Sequence, residues 1–236
     1  LEYYGSLSSV TLTDVVLGHD YSYTLVSYSN DLAISPAVTA VVRGSTTALT
    51  VTPSAPSYGQ GVTVVATVRG SDGQPMAGRS VTLFSRRTGH TAWSTIGTAT
   101  SSAAGQVSAT VTPSQDTQFD AVAAGDATHL ASTALLTVPL RFSVTATAVP
   151  ATAVVGSVTR FGGVVAPARP GGQVWLEGLW SNTWHVLGYA TLTDHSSYSF
   201  KLVPTRVSTY VYRVYMPPDS TLSGGSTASF TVVTHA

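Results

Sequence analysis

The sequence predicts an all-β protein made of β-sandwiches arranged end to end. Short runs rich in Val, Thr, Tyr and Phe alternate apolar and polar residues, and Gly, Pro, Ser, Asn and Asp separate them. No window of helical length has apolar residues at the spacing of an amphipathic helix. Landmarks of one stretch return about 91 residues later, which indicates that one structural unit is used twice.

The repeat is carried by matched positions in the second and last thirds of the chain. Trp93, Gly97, Ala99, Thr100, Ser108, Pro113 and Phe119 correspond to Trp184, Gly188, Ala190, Thr191, Ser199, Pro204 and Tyr210. Both tryptophans begin an alternating strand, where a large ring is typical of the core between two sheets. We therefore expect Trp93 and Trp184 to be buried.

The composition excludes several classes of function. Only 9% of the 236 residues are charged, with 11 basic and 11 acidic side chains, so the chain has no field that would attract nucleic acid. It contains no cysteine, and no apolar run is long enough to cross a bilayer. We expect no nucleic-acid partner and no membrane insertion.

The first module, residues 1–44, predicts three strands at 9–13, 21–28 and 37–42. The run VVLGHDYSYTL at 15–25 resembles the corner of a fibronectin type III domain, where a Tyr hydroxyl bonds back across a Gly turn. In that turn, Leu17 stands where the family usually has a Pro before the Gly. Residues 27–36 resemble the last hairpin of that family. The resemblance implies only the C-terminal half of such a domain.

Three strands alone would leave one apolar sheet face uncovered. One explanation is that the chain is a mature or truncated fragment, because Leu1-Glu2-Tyr3-Tyr4 is neither a start methionine nor a signal peptide. The other is that a strand or surface of another protein chain completes the sheet.

The second module, residues 45–140, predicts seven strands. They lie at 48–52, 62–68, 80–84, 93–98, 106–111, 118–123 and 134–138, and SDGQP at 71–75 predicts a tight turn. Val62, Val64, Ala66 and Val68 alternate as one buried face. The link to the first module is short, so we expect the modules to stack with limited bending.

The third module, residues 141–236, also predicts seven strands, at 142–147, 158–165, 173–177, 184–191, 198–203, 209–215 and 228–233. Its segments GVVAP at 163–167 and GQVWL at 172–176, with Trp184 and the strands that follow, resemble an Ig-like repeat of secreted actinobacterial proteins. In such proteins these repeats are spacers, cell-wall decorations or accessory modules of hydrolases. The resemblance therefore implies a secreted or cell-surface location.

Strand alternation in the third module yields a candidate contact surface. If Val174, Leu176, Trp184, Val186, Tyr210, Tyr212 and Val214 point inward, then Trp175, Glu177, His185, Val211, Arg213 and Tyr215 point outward. Trp180 lies in a hairpin. The candidate ligand or partner contacts are Trp175, Trp180, His185, Arg213 and Tyr215, because such side chains stack on sugar rings and bond hydroxyls. Packing against a neighbouring module or an assembly contact would use the same residues.

Catalytic and metal sites are not predicted. Asp194-His195-Ser196 has the residue types of a triad, but neighbours along a turn splay apart, so we expect a polar turn. Asp116, Asp120 and Asp126 match no Ca²⁺ loop and are expected to be solvated at loop ends. No cofactor is expected.

The sequence thus predicts a non-enzymatic structural or adhesive spacer of a secreted or cell-surface bacterial protein. One alternative is a carbohydrate-binding accessory module whose partner is a cell-wall or other polysaccharide. Another is the non-catalytic C-terminal tail of a larger secreted hydrolase.

Overall fold

A computed structural model describes residues 15–27, 34–147 and 149–236. Within these ranges the regular secondary structure consists of strands alone, which confirms the predicted all-β fold. The described part of the chain accordingly contains no helix with the length and apolarity needed to span a bilayer.

The first module contributes an antiparallel hairpin of β1 (Tyr21–Leu25) and β2 (Val38–Val42). The Tyr21 hydroxyl accepts a 2.6 Å hydrogen bond from the backbone N–H of Val16, which is the bond across the Gly turn that the sequence predicts. The apolar face of this hairpin is exposed, with Leu25 at 73% and Val38 at 67%. The strand predicted at 9–13 lies outside the described residues.

The second module is a sandwich of two antiparallel sheets. Its strands are β3 (Ser45–Thr52), β4 (Val62–Gly70), β5 (Ser80–Arg87), β6 (Ser94–Thr100), β7 (Gln106–Val111), β8 (Thr117–Ala123) and β9 (Ser132–Val138). One sheet has the order β3-β4-β7 and the other β6-β5-β8-β9. Val62, Val64, Ala66 and Val68 of β4 are all fully buried, which confirms the predicted inward face.

The third module repeats this arrangement. Its strands are β10 (Ser143–Thr147), β11 (Thr152–Val154), β12 (Thr159–Ala166), β13 (Gln173–Trp180), β14 (Thr183–Thr191), β15 (Ser197–Leu202), β16 (Thr209–Met216), β17 (Gly225–Ser226) and β18 (Phe230–His235). The sheets are β10-β12-β15 and β11-β18-β16-β13-β14, with β17 beside β16. This division of strands between two sheets is that of tandem Ig-like sandwiches.

Both modules have a β-bulge at the same place, and it reverses part of the predicted face assignment. Leu176 pairs with Gly188 while its neighbour Glu177 pairs with Val186, so Leu187 is an extra residue in β14. In the second module, Ile96 is the corresponding extra residue of β6. An extra residue shifts side-chain alternation by one position beyond the bulge.

The expectation that both repeat tryptophans are core residues is therefore wrong. Trp93 is 36% exposed and Trp184 is only half-buried. Each ring stacks instead beneath a guanidinium, that of Arg86 at 4.4 Å and that of Arg213 at 4.3 Å. Val186 was also expected to point inward, but it is 40% exposed.

The junction between the second and third modules is held by backbone hydrogen bonds at Arg141. Its N–H donates to the Pro56 carbonyl, and its own carbonyl accepts from the N–H of Tyr58, each at 2.8 Å. On the other side Arg141 forms a β-bridge with Ser223 of the third module. The Tyr58 ring also packs against the third module's core. The connecting residue is thus part of the hydrogen-bonded structure of both modules.

Each junction is held by an aspartate that lies immediately before a strand. Asp20, which precedes β1, accepts a 2.8 Å hydrogen bond from the N–H of Gly44, and Asp116, which precedes β8, accepts one of 2.7 Å from the N–H of Leu140. Donor and acceptor are 24 residues apart in both cases. We call these two contacts the aspartate latches.

Candidate functional site

The outer face of the larger sheet of the third module carries four aromatic rings. We call them the aromatic face: Trp175 of β13, Trp184 and Tyr189 of β14, and Tyr215 of β16. Trp175 lies directly opposite Tyr189 on one side and Tyr215 on the other. Residues opposite one another in a sheet project from the same face, so these strands present their rings together.

Three of these rings form one contact cluster. The centroid of Trp175 is 6.1 Å from that of Tyr189, with the rings perpendicular, and 5.5 Å from that of Tyr215. Such separations are typical of favourable aromatic pairs. Tyr189 is 62% exposed and is the most accessible ring of the aromatic face. The cluster can offer ring faces and phenolic hydroxyls to a ligand.

Arg213 is already occupied by neighbours within the sheet. Its Nε donates a 2.6 Å hydrogen bond to Oε2 of Glu177, a carboxylate that is nearly inaccessible to solvent. Its guanidinium lies over Trp184 and 5.7 Å from the ring of Tyr215. Arg213 therefore neutralises a buried carboxylate and fixes the position of Trp184, and it is not a free cation on this face.

Trp180 and His185 lie on the opposite side of the sheet, at the tip of the β13–β14 hairpin. Gly178 pairs with both His185 and the buried Tyr212, which places His185 on the core side of the sheet. The Trp180 and His185 rings stack at 3.8 Å with an interplanar angle of 6°. The structure therefore divides the five predicted contacts into two groups, with Trp175, Arg213 and Tyr215 on one face.

Tyr189 and Trp184 belong to the aromatic face, although neither was among the predicted contacts. Tyr189 stands opposite Trp175 only because of the bulge, since a register counted from the hairpin without it would place Gly188 there. Trp184 was assigned to the core because a single sequence does not reveal the bulge at Leu187.

The run Asp194-His195-Ser196 forms a turn, as predicted. The Ser196 N–H donates to the Thr193 carbonyl, and the buried Ser196 hydroxyl accepts a 2.6 Å hydrogen bond from the N–H of Arg169. The Ser196 oxygen is thus used in holding a loop, while Asp194 and His195 face solvent. In the described ranges, no group of three or more His, Asp or Glu side chains could hold a metal ion.

Two aspartates pair with arginines, one in the loop after β8 and one in the loop after β16. Asp126 pairs with the buried Arg79, and Asp219 accepts a 2.7 Å bond from Nε of Arg169. Each carboxylate also accepts hydrogen bonds from the backbone N–H and hydroxyl of a Thr two residues later. We call these contacts the Arg–Asp clamps. Asp126 and Asp116 were expected to be solvated at loop ends, but Asp126 is bonded to Arg79 and Thr128, and Asp116 accepts a hydrogen bond from the N–H of Leu140.

The clamps lower the pKa of both carboxyls. For Asp126 the causes are the bonds from the backbone N–H and the hydroxyl of Thr128, together with the Arg79 charge. For Asp219 burial raises the pKa, but the bonds from Arg169, Thr221 and Leu222 outweigh it. A carboxyl with a lowered pKa stabilises the fold above its ordinary value of 3.8 and loses that contribution as the pH falls below it.

We expect acid to destabilise the protein through these clamps. The free energy of unfolding, measured by urea denaturation, should fall between neutral pH and about pH 3. The double variant Asp126→Asn and Asp219→Asn removes both titrating groups, so its stability should start lower and fall less over the same interval. An unchanged pH dependence in the double variant would contradict this account.

Comparisons with known proteins leave the family open. No protein-family model and no curated protein matches the chain. Among solved structures, it is similar to invasin, a bacterial integrin-binding protein (18% identity, TM-score 0.35, covering 80% of this chain and 39% of that one). It is also similar to a tetra-tandem repeat from the extending region of a large adhesion protein (14% identity, TM-score 0.33, covering 91% of this chain and 55% of that one). A third similar structure is the human OSCAR ligand-binding domain (15% identity, TM-score 0.30, covering 78% of this chain and 97% of that one).

The chain spans less than two thirds of the first two of these structures. At TM-scores of 0.30 to 0.35, none of these likenesses identifies the function of this chain.

Proposed function

We propose that this chain is a non-enzymatic structural and adhesive spacer of a secreted or cell-surface bacterial protein. The junction at Arg141 carries the proposal. A flexible linker would leave its N–H and C=O groups to water, whereas the Arg141 N–H and C=O are both bonded to the loop at 56–58. A spacer must keep a fixed distance between its ends, and bonded junctions limit bending at the points where tandem modules would otherwise hinge.

The aspartate latches support the same function. Each latch joins the corner of one module to the chain that leaves that module. At the second junction the Asp116 N–H also donates to the Thr221 carbonyl, so the residue contacts the next module as well. Two junctions with latches of equal spacing fit a repeated spacer better than they fit a binding cleft between modules.

Asp116→Ala is expected to loosen the second junction without unfolding either module. The change removes a charge-assisted hydrogen bond worth roughly 1.5–3 kcal/mol. NMR relaxation of the full chain should then show that the second and third modules tumble more independently. Asp194→Ala, an exposed turn position outside the junction, is the matched control and should leave tumbling unchanged. The spacer proposal fails at this junction if both variants tumble like the parent.

Carbohydrate binding is the second candidate function, and the accessible cluster around Trp175 favours it. Tyr189 and Tyr215 contact this ring from both sides, so a ligand would meet an aromatic surface that is already ordered. Ordered aromatic rings lose little conformational entropy on binding. The partner would be a cell-wall or plant polysaccharide.

The two groups of predicted contacts allow a direct test. If the aromatic face binds polysaccharide, Trp175→Ala and Tyr189→Ala should each weaken retention of the chain on insoluble cell-wall and plant polysaccharides by about tenfold or more. Trp180→Ala, on the other side of the sheet, should retain binding. Equal retention of all variants, or no retention of the parent, would eliminate this candidate.

A further inference from the structure

An open groove of about 400 Å³ lies at one end of the second module. It is bordered by the end of β5 with the loop that follows, and by the segment between β7 and β8. Arg87, His90 and Ser94 line one side, and Thr112, Ser114 and Thr117 line the other. The volume falls within the range of natural small-molecule sites.

The groove combines an arginine and a histidine with hydroxyls. Neither Arg87 nor His90 forms an ion pair with any carboxylate in the described parts of the chain. The six described residues named above include no acidic side chain, and the nearest carboxylate in sequence, Asp116, accepts its hydrogen bond from Leu140 outside the groove. In a chain with so few charges, the unpaired Arg87 guanidinium, together with His90 and the four hydroxyl side chains named above, forms a local positive site.

Arg86 also borders the groove, but its charge is used elsewhere. Its Nε donates a 2.7 Å hydrogen bond to Gln118, and its guanidinium covers the Trp93 ring. Burial raises the pKa of the nearby Asp120 carboxyl above its usual value, and the Arg86 charge offsets part of that rise. Arg87 is therefore the guanidinium of the groove that remains available to a ligand, and the His90 imidazole belongs to the same lining.

The same place in the third module has a different chemistry. Counted from the matched bulges, Trp180 of the third module corresponds to Arg87, and His185 corresponds to Ser94. There the space is occupied by the stacked Trp180 and His185 rings. The two modules therefore share the backbone at this place but differ in side chains, which are aromatic in the third module and include Arg87 and hydroxyls in the second.

We infer that the groove of the second module binds a small polar ligand that carries a phosphate or sulfate group. Arg87 and His90 would contact the oxyanion, and the Ser94, Thr112 and Ser114 hydroxyls can donate to its oxygens. The groove exceeds the size of a single oxyanion, so the remainder of the ligand, such as a sugar, can lie along its hydroxyl side. This inference does not depend on the proposed spacer function.

The test is an NMR titration of the full chain with inorganic phosphate, inorganic sulfate, glucose 6-phosphate and glucose. We expect the anions to shift backbone resonances of residues 86–94 and 112–117, and glucose to shift none of them. Tighter binding of glucose 6-phosphate than of inorganic phosphate would identify an ester ligand, and equal binding would identify a free oxyanion. Both results support the site.

Substitutions distinguish binding in this groove from a general effect of surface charge. Arg87→Gln and His90→Gln should each weaken binding of glucose 6-phosphate about tenfold, since each removes one charge-assisted contact. Arg160→Gln, at an exposed arginine of the third module, changes the net charge as much as Arg87→Gln does and should have no effect. The inference is overturned if no anion shifts these resonances, if glucose shifts them equally, or if Arg160→Gln weakens binding as much as Arg87→Gln.

Discussion

Arg213→Met is expected to lower the free energy of unfolding of the third module by about 3 kcal/mol. The methionine keeps an unbranched apolar side chain at this position but removes the only cation that bonds the Glu177 carboxylate in the described structure. That carboxyl group is 8% exposed, so the variant leaves it without its partner and with little access to water. Chemical denaturation followed by tryptophan fluorescence measures the loss, and the spectrum itself should change because Trp184 loses its guanidinium partner.

The second module supplies the control for this experiment. Arg86→Met removes an equivalent cation from above Trp93, but Arg86 bonds a neutral Gln118, so the cost should be about 1 kcal/mol. Replacing both partners, with Glu177→Leu and Arg213→Met together, should recover most of the lost stability because no unpaired charge remains. Equal losses for Arg213→Met and Arg86→Met would show that the buried carboxylate is not the cause.

Gly163→Ala is expected to destabilise the third module by about 3 kcal/mol. Gly163 lies in β12 beneath the Tyr198 side chain, whose hydroxyl donates a 2.7 Å hydrogen bond to the Thr145 carbonyl of β10. A Cβ at position 163 would overlap that carbonyl oxygen and crowd the Tyr198 hydroxyl, 2.6 Å away. The backbone of two paired strands would have to separate, and thermal denaturation should report the loss.

Gly188→Ala is the matched substitution in the same module. Gly188 also lies in a strand, but a Cβ there meets no heavy atom within 4 Å, so the change should alter stability by no more than about 0.5 kcal/mol. If both glycine variants have the same melting temperature, then the contact between β10 and β12 is not the origin of the effect.

The strand positions were predictable because alternation and turn residues are local properties of the chain. The alternation of apolar residues from Val62 to Val68 predicted the buried face of β4 correctly. The structure has a strand at each position predicted within the described ranges. The short β11 and β17 were not predicted, since segments of three and two residues hold too little pattern.

The sidedness of the candidate site was not predictable in the same way. Leu187 and Ile96 are ordinary strand residues in the sequence, and only pairing with the neighbouring strand reveals that each is an extra residue. Because of the bulge at Leu187, His185 lies on the core side of the sheet and Trp184 on the outer face, the reverse of the prediction.

The Arg–Asp clamps were missed for a related reason. Arg79 and Asp126 are 47 residues apart and meet only after the sheets have formed. The recurrence of Asp-x-Thr at 126–128 and 219–221 is the sequence signal that could have indicated them.

The pairing of β11 with β18 determines how the third module would respond to tension. These strands lie near the two ends of the module and run parallel, with Thr152 beside Val233. Pulling the ends apart would slide one strand along the other, so their hydrogen bonds would bear the load simultaneously instead of opening one after another. In the second module, β3 and β9 lie in different sheets, and hydroxyl bonds from Ser45 and Thr47 to Ser132 join them. Under tension, the second module should therefore extend first and the third should resist longer.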